Sequence, residues 1–233
     1  MMEGAMQTGI SGLDDMLGGG IPRGSVVAVL GSFGTGKTTA GMQFILKGLG
    51  EGEKCIFISL EEDETSLTRN ASSFGWDLAA HASKGALALV RLEPTDAKTS
   101  VERIRSELPG FIREFGASRV VIDSVSLLSM LYDTPAEKRG GLFTLCRLIR
   151  ESGASALLTS EISENNPGAS RDGMVEYTAD GVILLRSVDS SDESEQQLTI
   201  RVVKMRGAAH SRRIRPYSIT GSGIVVHSGA ELF

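Results

Sequence analysis

Short apolar runs rich in Val, Ile and Leu recur along the chain. They are SVVAVL, KCIFISL, SRVVIDS, SALLTS, GVILL and LTIRVVKM. The first four are separated by segments of helical spacing, such as GMQFILKGL and GGLFTLCRLIRESG, each of which ends near a glycine. Strands that are apolar throughout are typical of parallel sheets covered on both faces. The alternation therefore predicts βαβ units around a mostly parallel sheet.

The last part of the chain, from Gly181 to Val226, has a different pattern. Apolar runs follow one another there without long helical segments, which predicts antiparallel strands toward the C-terminus. We find no internal repeat and no long linker, and a hydrophobic content of 41% in 233 residues suits one sizeable core. We therefore expect a single α/β domain over residues 1–233.

The composition argues against a membrane protein, a secreted protein and a protein held together by disulfides or metal ions. No apolar run approaches the roughly 20 residues that cross a bilayer, and the start MMEGAMQTGI does not look like a signal peptide. A cytoplasmic protein without membrane contact is expected. Cys55 and Cys146 lie in apolar segments and are predicted to be buried thiols. The three histidines are far apart in the sequence, so a metal held by the protein alone is not expected.

The stretch GSFGTGKT, from Gly31 to Thr38, satisfies the phosphate-loop (P-loop) pattern G-x-x-x-x-G-K-[ST] between an apolar run and a helical segment. Gly34 and Gly36 allow backbone N–H groups to converge on phosphate at a helix N-terminus. Lys37 is predicted to contact the β- and γ-phosphates, and the Thr38 hydroxyl to ligate Mg²⁺. The loop residues expected to bind nucleotide are Gly34, Thr35, Gly36, Lys37, Thr38 and Thr39.

Carboxylates follow two of the apolar runs. Asp123 ends SRVVID, where a P-loop protein needs an acid to hold Mg²⁺ through a bound water. Glu61 and Glu62 follow CIFISL, and the carboxyl ends of parallel strands share one edge with the P-loop. One of these two glutamates is therefore the expected base that activates the attacking water. The alternative is an acidic helix start, because two more acids follow them.

Six cations and no acid lie in IRVVKMRGAAHSRRIR, from Ile200 to Arg215, although the chain has a formal net charge of −5. A two-residue period places Lys204 and Arg206 on the same face as Val202 and the apolar residues before it. The apolar face is thus predicted to become basic at the end of the strand, which suits a concentrated anion. A solvated basic surface is the alternative.

Together these motifs resemble the KaiC-type members of the RecA superfamily. The matching segments are TGISGLDDMLGGGIPRGS, SLEE, ASSFGWDL, VVIDS and KMRGAAH, and they cover nearly the whole chain. The resemblance implies a RecA-like core and a ring, usually of six subunits, with ATP in the cleft between neighbours. It also implies that Glu61 is the catalytic base and that Ser73 touches the nucleotide.

The resemblance gives the basic stretch a role. In KaiC-like proteins the Lys and Arg of K-x-R-G reach the γ-phosphate bound by the adjacent subunit, so Lys204 and Arg206 are expected to complete the neighbour's site. The other residues expected beside that nucleotide are Met205, Gly207, His210 and Thr220, the last near the base. Ala208 and Gly221 depart from the Thr and Asp that the family tends to have, which leaves the ribose and base contacts open.

The expected function is a slow, ring-forming regulatory or signalling ATPase with an unidentified protein partner. The chain has one lobe where clock proteins have two, so a clock function does not follow. Autokinase activity in the family belongs to the second lobe, and Ser163 and Ser170 match its phosphosites too weakly to be assigned.

Two other functions stay open. A RecA- or RadA-like DNA-binding ATPase would use loops such as SMLYDTPAEKRGG and SENNPGASRDGM. Both loops mix acids with bases and contain few aromatic residues, and the protein is acidic overall, so its charge argues against nucleic acid. The other function is a non-catalytic switch, whose oligomeric state would respond to ATP.

Overall fold

The computed structural model describes residues 4–92, 97–163, 166–189 and 196–230. The strands in this part of the chain are β1 (Ala5–Met6), β2 (Ile21–Pro22), β3 (Val26–Gly31), β4 (Lys54–Ser59), β5 (Leu87–Arg91), β6 (Ala117–Asp123), β7 (Ser155–Glu161), β8 (Gly181–Asp189), β9 (Gln196–Met205), β10 (Arg215–Thr220) and β11 (Gly223–Val226). The helices are α1 (Leu13–Met16), α2 (Lys37–Gly50), α3 (Glu64–Ser72), α4 (Leu78–Ser83), α5 (Ala97–Phe115), α6 (Val125–Ser129), α7 (Pro135–Glu151) and α8 (Val175–Thr178). None of these helices is both long and apolar enough to span a membrane.

A nine-stranded sheet forms the centre of the fold, in the order β11-β10-β9-β8-β3-β7-β6-β4-β5. The strands from β8 to β5 in that order pair in parallel, and β9, β10 and β11 are antiparallel additions. The predicted α/β class and the antiparallel C-terminal strands are confirmed. The antiparallel part begins one strand later than predicted. After β7 the chain crosses to the other side of β3, where β8 still runs parallel to β3.

Helices cover both faces of the sheet, and each face forms a hydrophobic core with the helices packed on it. Residues of α2, α3 and α4 pack on one face, and residues of α5, α6 and α7 pack on the other. Within β6, Val121 belongs to the first core while Val120 and Ile122 belong to the second. Successive side chains of a strand point to opposite faces. A central strand therefore has to be apolar at every position, which is the pattern seen in the sequence.

Both cysteines are free and buried, as predicted. Burial raises the pKa of the Cys55 thiol to about 12 and also raises the pKa of Cys146. A thiol with a raised pKa forms little of the reactive thiolate at neutral pH. Both side chains should therefore be inert toward thiol reagents in the folded protein.

Arg119, near the start of β6, is a buried cation that the sequence did not indicate. Its side chain is fully buried, and its Nε and Nη2 donate to the carboxylates of Glu53 at 2.5 Å and Glu51 at 2.9 Å. Its Nη1 donates to the carbonyl oxygens of Gln7 at 2.7 Å and Phe44 at 3.1 Å. The network joins the N-terminal segment, α2 and the turn before β4 at one edge of the sheet.

We expect Arg119→Ala to lower the free energy of unfolding by about 3 kcal/mol, because it leaves partly buried carboxylates without their partner. The matched control is Arg147→Ala, which breaks the half-exposed pair between Arg147 and Glu151 on α7. That change should cost only about 0.5 kcal/mol. Urea unfolding of both variants checks the difference. Equal losses in the two variants would contradict the structural role of Arg119.

Candidate nucleotide-binding site

The carboxyl ends of β3, β4, β6 and β7 meet at one edge of the sheet. The strand register pairs Ser59 with Asp123, Val29 with Thr159 and Gly31 with Glu161. The P-loop, which follows β3, therefore lies beside Asp123 and the residues that follow β4. The structure brings together the P-loop and the acidic residues that the sequence placed at this edge.

The two P-loop glycines have the conformations expected of them. Gly34 has a φ of 74° and Gly36 a φ of 82°, in the left-handed region that residues with a side chain rarely adopt. A Cβ at Gly36 would also lie 2.9 Å from the Ile219 side chain of β10. Position 36 therefore requires glycine for its backbone conformation and for its contact with the β10–β11 hairpin.

The other P-loop side chains hold the loop to its surroundings. Thr35 is buried; its hydroxyl donates to the Ser32 carbonyl at 2.7 Å, and its own carbonyl accepts from the Tyr217 hydroxyl at 2.6 Å. The Lys37 ammonium donates to the same Ser32 carbonyl at 2.9 Å. Thr39 lies in the first turn of α2. The β10–β11 hairpin thus supports the loop from within the same chain.

Lys37 lies among carboxylates. Burial lowers the pKa of its ammonium group, and the nearby charges of Asp123, Glu61 and Glu161 act in the opposite direction. A partly buried ammonium at a helix N-terminus suits a polyphosphate, whose negative charge it would face directly.

Asp123 and Thr38 form a pair of oxygen donors. Asp123 is 3% exposed, and its two carboxylate oxygens accept from the hydroxyls of Thr38, at 2.7 Å, and Thr159. Burial raises the pKa of this carboxyl group. Mg²⁺ in nucleotide sites typically takes one or two protein oxygens and completes its shell with phosphates and water. Thr38 and Asp123 fit that requirement.

Glu61 and Glu62 lie outside α3 and face different partners. Asp63 caps α3 and accepts from the Ser66 N–H, so it supplies the acidic helix start. The Glu61 carboxylate accepts from the hydroxyl of Ser124, the residue after Asp123, at 2.7 Å. Its charge also acts on the Lys37 ammonium group.

The Glu62 carboxylate turns toward α3 instead. It accepts from the Asn70 side-chain amide at 2.6 Å. Burial raises the pKa of Glu62, and the negative charge of Asp123 raises it further. Of the two glutamates, Glu61 is thus the one that contacts the residue after Asp123.

Ser73 and Thr220 belong to two segments of the chain that contact each other near the β10–β11 hairpin. Ser73 follows α3, close to Trp76, and a Cβ at Gly223 in β11 would lie 2.8 Å from the Trp76 ring. Thr220 ends β10, and its hydroxyl donates to the Gly223 carbonyl at 3.0 Å. The neighbouring residue Ile219 lies against the P-loop, since a Cβ at Gly36 would be 2.9 Å from its side chain. Since β10 runs antiparallel to β9, it returns the chain to its own P-loop edge.

Lys204 and Arg206 lie at the opposite edge of the sheet from the P-loop, that is, at the edge formed by the amino ends of the parallel strands. Gly181, at the start of β8, pairs with both Val27 and Met205. The end of β9 is thus level with the start of β3. Met205 lies two strands from β3, about 10 Å to the side, and the level of Val27 is roughly 13 Å along the strand from Gly31. Lys204 and Arg206 therefore lie out of reach of phosphates held by their own P-loop.

The predicted face of Lys204 is wrong because β9 contains a bulge. Val182 pairs with Lys204 whereas Ile183 pairs with Val202, so Val203 is an extra residue. Val202 and Ile183 lie in the first core, while Val182 lies in the second. One inserted residue moves every later side chain to the other face of the sheet. Lys204 is accordingly on the face opposite Val202.

The two cations are held by the junction between α8 and β8. The Lys204 ammonium donates to the Ala179 carbonyl at 2.7 Å, and burial together with the Arg206 charge lowers its pKa. The Arg206 guanidinium donates to the Tyr177 carbonyl at 3.2 Å and lies 3.7 Å from the Asp180 carboxylate. Both side chains thus have defined positions beside one short segment.

Asp180 is a residue of this region that sequence reasoning missed. Its carboxylate forms an ion pair with Arg150 of α7 at 2.8 Å and accepts from the Val26 N–H at 2.9 Å. Its backbone carbonyl accepts from the Arg206 N–H at 2.9 Å. No spacing in the sequence marks Asp180, because its partners come from distant parts of the chain.

The turn after β9 carries the remaining predicted residues. Met205 is buried and packs in the first core, so it can approach a nucleotide only through its backbone. Gly207 has a φ of 72°. The Nδ1 atom of His210 lies 3.3 Å from the Ala208 carbonyl, and its buried Nε2 atom has no hydrogen-bond partner among the described residues. This turn lies at the same edge as Lys204 and Arg206.

A P-loop between a parallel strand and a helix, with a buried aspartate on a nearby strand, defines a P-loop nucleotide-binding protein. A family model described as "ATPase: KaiC" matches residues 6–231, and the chain belongs to this family.

Two relatives and a solved structure agree with this assignment. A UPF0273 protein from Thermotoga maritima is 36% identical over an alignment of 240 positions, which covers 95% of each of the two chains. The circadian clock oscillator protein KaiC of Parathermosynechococcus lividus is 34% identical over 229 residues; the match takes in 94% of this chain but 41% of KaiC. The crystal structure of a KaiC-like protein from Pyrococcus horikoshii is similar, with a TM-score of 0.85, 34% identity and coverage of 96% of this chain and 98% of that one.

Proposed function

We propose that this chain, as one domain over residues 1–233, is a cytoplasmic ATPase that assembles into a ring of six subunits and hydrolyses ATP slowly with Mg²⁺. Each site would be completed by Lys204 and Arg206 of the neighbouring subunit. The observation that carries the proposal is the placement of these cations at the sheet edge opposite their own P-loop. One subunit alone offers an incomplete site, and a head-to-tail ring of copies would complete every site.

The described contacts support a role for each residue. The P-loop N–H groups and Lys37 would bind the phosphates, with Thr38 and Asp123 holding Mg²⁺, which neutralises charge on the phosphates when bound. Glu61, positioned by Ser124, would accept a proton from the attacking water.

The neighbouring subunit would supply the remaining contacts. Arg206 and Lys204 of that subunit would stabilise the charge that develops on the γ-phosphoryl group. Met205, Gly207 and His210 would approach the same nucleotide, because their turn lies at the edge that carries the two cations. Ser73 and Thr220 would lie near the nucleotide held by their own P-loop.

One cation in each of the two segments considered for DNA contact pairs with an acid. Lys138 lies 3.3 Å from the Asp172 carboxylate, and Arg171 lies 3.1 Å from the Glu161 carboxylate. Glu164 and Asn165 of the second loop lie outside the described residues. These pairs leave Arg139 as the one exposed cation of the two segments without an acidic partner among the described residues, and the protein is acidic overall, so little positive charge is offered to a phosphate backbone. The charge distribution therefore favours a regulatory ATPase with a protein partner over a DNA-binding one.

The test combines native mass and phosphate release on one sample, with and without ATP and Mg²⁺. We expect rings with ATP and slow release of phosphate. Lys37→Ala should weaken ATP binding at least roughly 30-fold, because it removes a charged partner of the phosphates, and it should leave the circular dichroism spectrum unchanged. Unaltered ATP affinity of this variant in calorimetry would contradict the assigned site. Rings that release no phosphate would indicate a non-catalytic switch instead.

A further inference from the structure

Two aromatic side chains are the most exposed large hydrophobic residues in the described part of the chain. Phe33 is 93% exposed and Tyr177 is 67% exposed. Phe33 is the third residue of the P-loop, and Tyr177 lies in α8, where its carbonyl accepts from the Arg206 guanidinium. Each aromatic residue therefore stands beside one half of the proposed shared site.

Phosphate binding does not explain the ring of Phe33. A P-loop binds phosphate through backbone N–H groups, the lysine and the hydroxyl after it, and the third position of the pattern accepts any residue. Its 93% exposure is the highest among the large hydrophobic residues of the described chain, and an aromatic ring of this size contributes most when another surface covers it. The ring of Phe33 thus points to a contact outside the single subunit.

The charges at the two edges indicate that the partner that covers Phe33 is a second copy of this chain. The P-loop edge carries four carboxylates around one lysine, and the opposite edge carries three cations beside two carboxylates. The first group is Glu61, Glu62, Asp123 and Glu161 with Lys37, and the second is Lys204, Arg206 and Arg150 with Asp180 and Glu176. The P-loop edge is therefore negative in sum and the opposite edge positive. Opposite charges favour the approach of these two edges from different subunits. No such complementarity exists between two copies of the same edge.

We propose that Phe33 of one subunit packs against Tyr177 of its neighbour and forms an aromatic contact next to the γ-phosphate position. When Arg206 reaches that phosphate, the Tyr177 carbonyl, 3.2 Å from the guanidinium, comes with it to the P-loop. The contact rests on the proposed function, because it needs the two edges to meet. It supplies an apolar anchor within a charged rim, the arrangement in which aromatic residues contribute most to an interface.

Chemical cross-linking tests the contact directly. The double variant Phe33→Cys/Tyr177→Cys is treated with a short bismaleimide in the presence of ATP and Mg²⁺. Cys55 and Cys146 are fully buried and should not react. We expect a ladder of linked subunits in a denaturing gel, and only linked pairs when the two single variants are mixed. A linked monomer would contradict the proposal, because it would place both residues within reach in one chain.

The matched control is Phe33→Cys/Phe143→Cys. Phe143 lies on α7 and is 56% exposed, but it belongs to neither half of the shared site. This variant should give no ladder, and a ladder of equal strength would overturn the pairing of Phe33 with Tyr177. Absence of the Phe33–Tyr177 ladder overturns it as well.

A double-mutant cycle tests how much the contact between Phe33 and Tyr177 contributes to the free energy of ring assembly. Phe33→Ala and Tyr177→Ala should each raise the protein concentration for half assembly, by roughly two- to tenfold. The double variant should raise it no further than either single one, because both remove the same contact. Additive effects would contradict direct packing.

The proposal of the aromatic contact and the proposal of the shared site can be refuted independently of each other. The shared site is tested by mixing Arg206→Ala with Lys37→Ala, two variants that keep both aromatic residues. Recovered hydrolysis without the cross-link would leave the shared site standing and refute the aromatic contact. A cross-link without recovered hydrolysis would support the contact and refute the role of Arg206.

Discussion

Arg206→Ala is expected to lower ATP hydrolysis by roughly 10³-fold or more, the effect of removing an arginine finger. ATP binding to an isolated subunit should change little, because Arg206 lies at the sheet edge opposite the P-loop of its own chain. Phosphate release and calorimetry measure the two quantities. The matched control is Arg212→Ala, an exposed cation of the same basic stretch, which should keep nearly full activity.

Mixing Arg206→Ala with Lys37→Ala then distinguishes action between subunits from action within one. Each variant alone should be nearly inactive, but a mixed ring contains interfaces where an intact P-loop faces an intact Arg206. Activity should return in part, depend on the mixing ratio and disappear at dilutions where rings dissociate. If native mass shows mixed rings and hydrolysis does not return, the assignment of Arg206 to the neighbour's site is wrong.

Glu61→Gln is the second change with a large expected effect. It should slow hydrolysis by roughly 10²–10⁴-fold, the contribution of a general base, while ATP stays bound. The amide keeps the size of the side chain and still accepts from the Ser124 hydroxyl, but it cannot take a proton from water. Single-turnover phosphate release measures the chemical step, and ATP affinity serves as the control for binding.

Glu62→Gln provides the comparison within the pair. Its carboxylate accepts from Asn70 on α3 and not from a residue beside Asp123. We therefore expect a much smaller effect on the chemical step. A larger effect for Glu62→Gln than for Glu61→Gln would reverse the assignment of the base.

Features that depend on neighbouring residues could be predicted from the sequence. Gly34 and Gly36 have the positive φ values that the P-loop pattern requires, and α2 begins directly after them. Asp123 ends a strand that is apolar throughout and lies at the same edge as the P-loop. Both predictions succeeded because backbone conformation and the edge of a parallel sheet follow from local pattern and strand order.

The prediction that depended on exact strand pairing failed. A period of two placed Lys204 on the face of Val202, but the bulge at Val203 moves it to the other face. The position of Thr220 at the P-loop edge of its own chain also depends on pairing, because β10 returns antiparallel to β9. A bulge and the direction of a returning strand are set by hydrogen bonds to distant residues, and the local sequence carries no mark of them.

The sequence by itself determined the class of fold, the P-loop, the acids at its edge and the family, since each depends on residue types at short, regular spacings. Only the tertiary structure decided how distant residues meet. It joined Arg119 to Glu51 and Glu53, held Arg206 beside Asp180, and separated Arg206 from its own P-loop by the length of a strand. The physical reason is that buried charges need partners and strands need a register, and both are supplied by segments far apart in the chain.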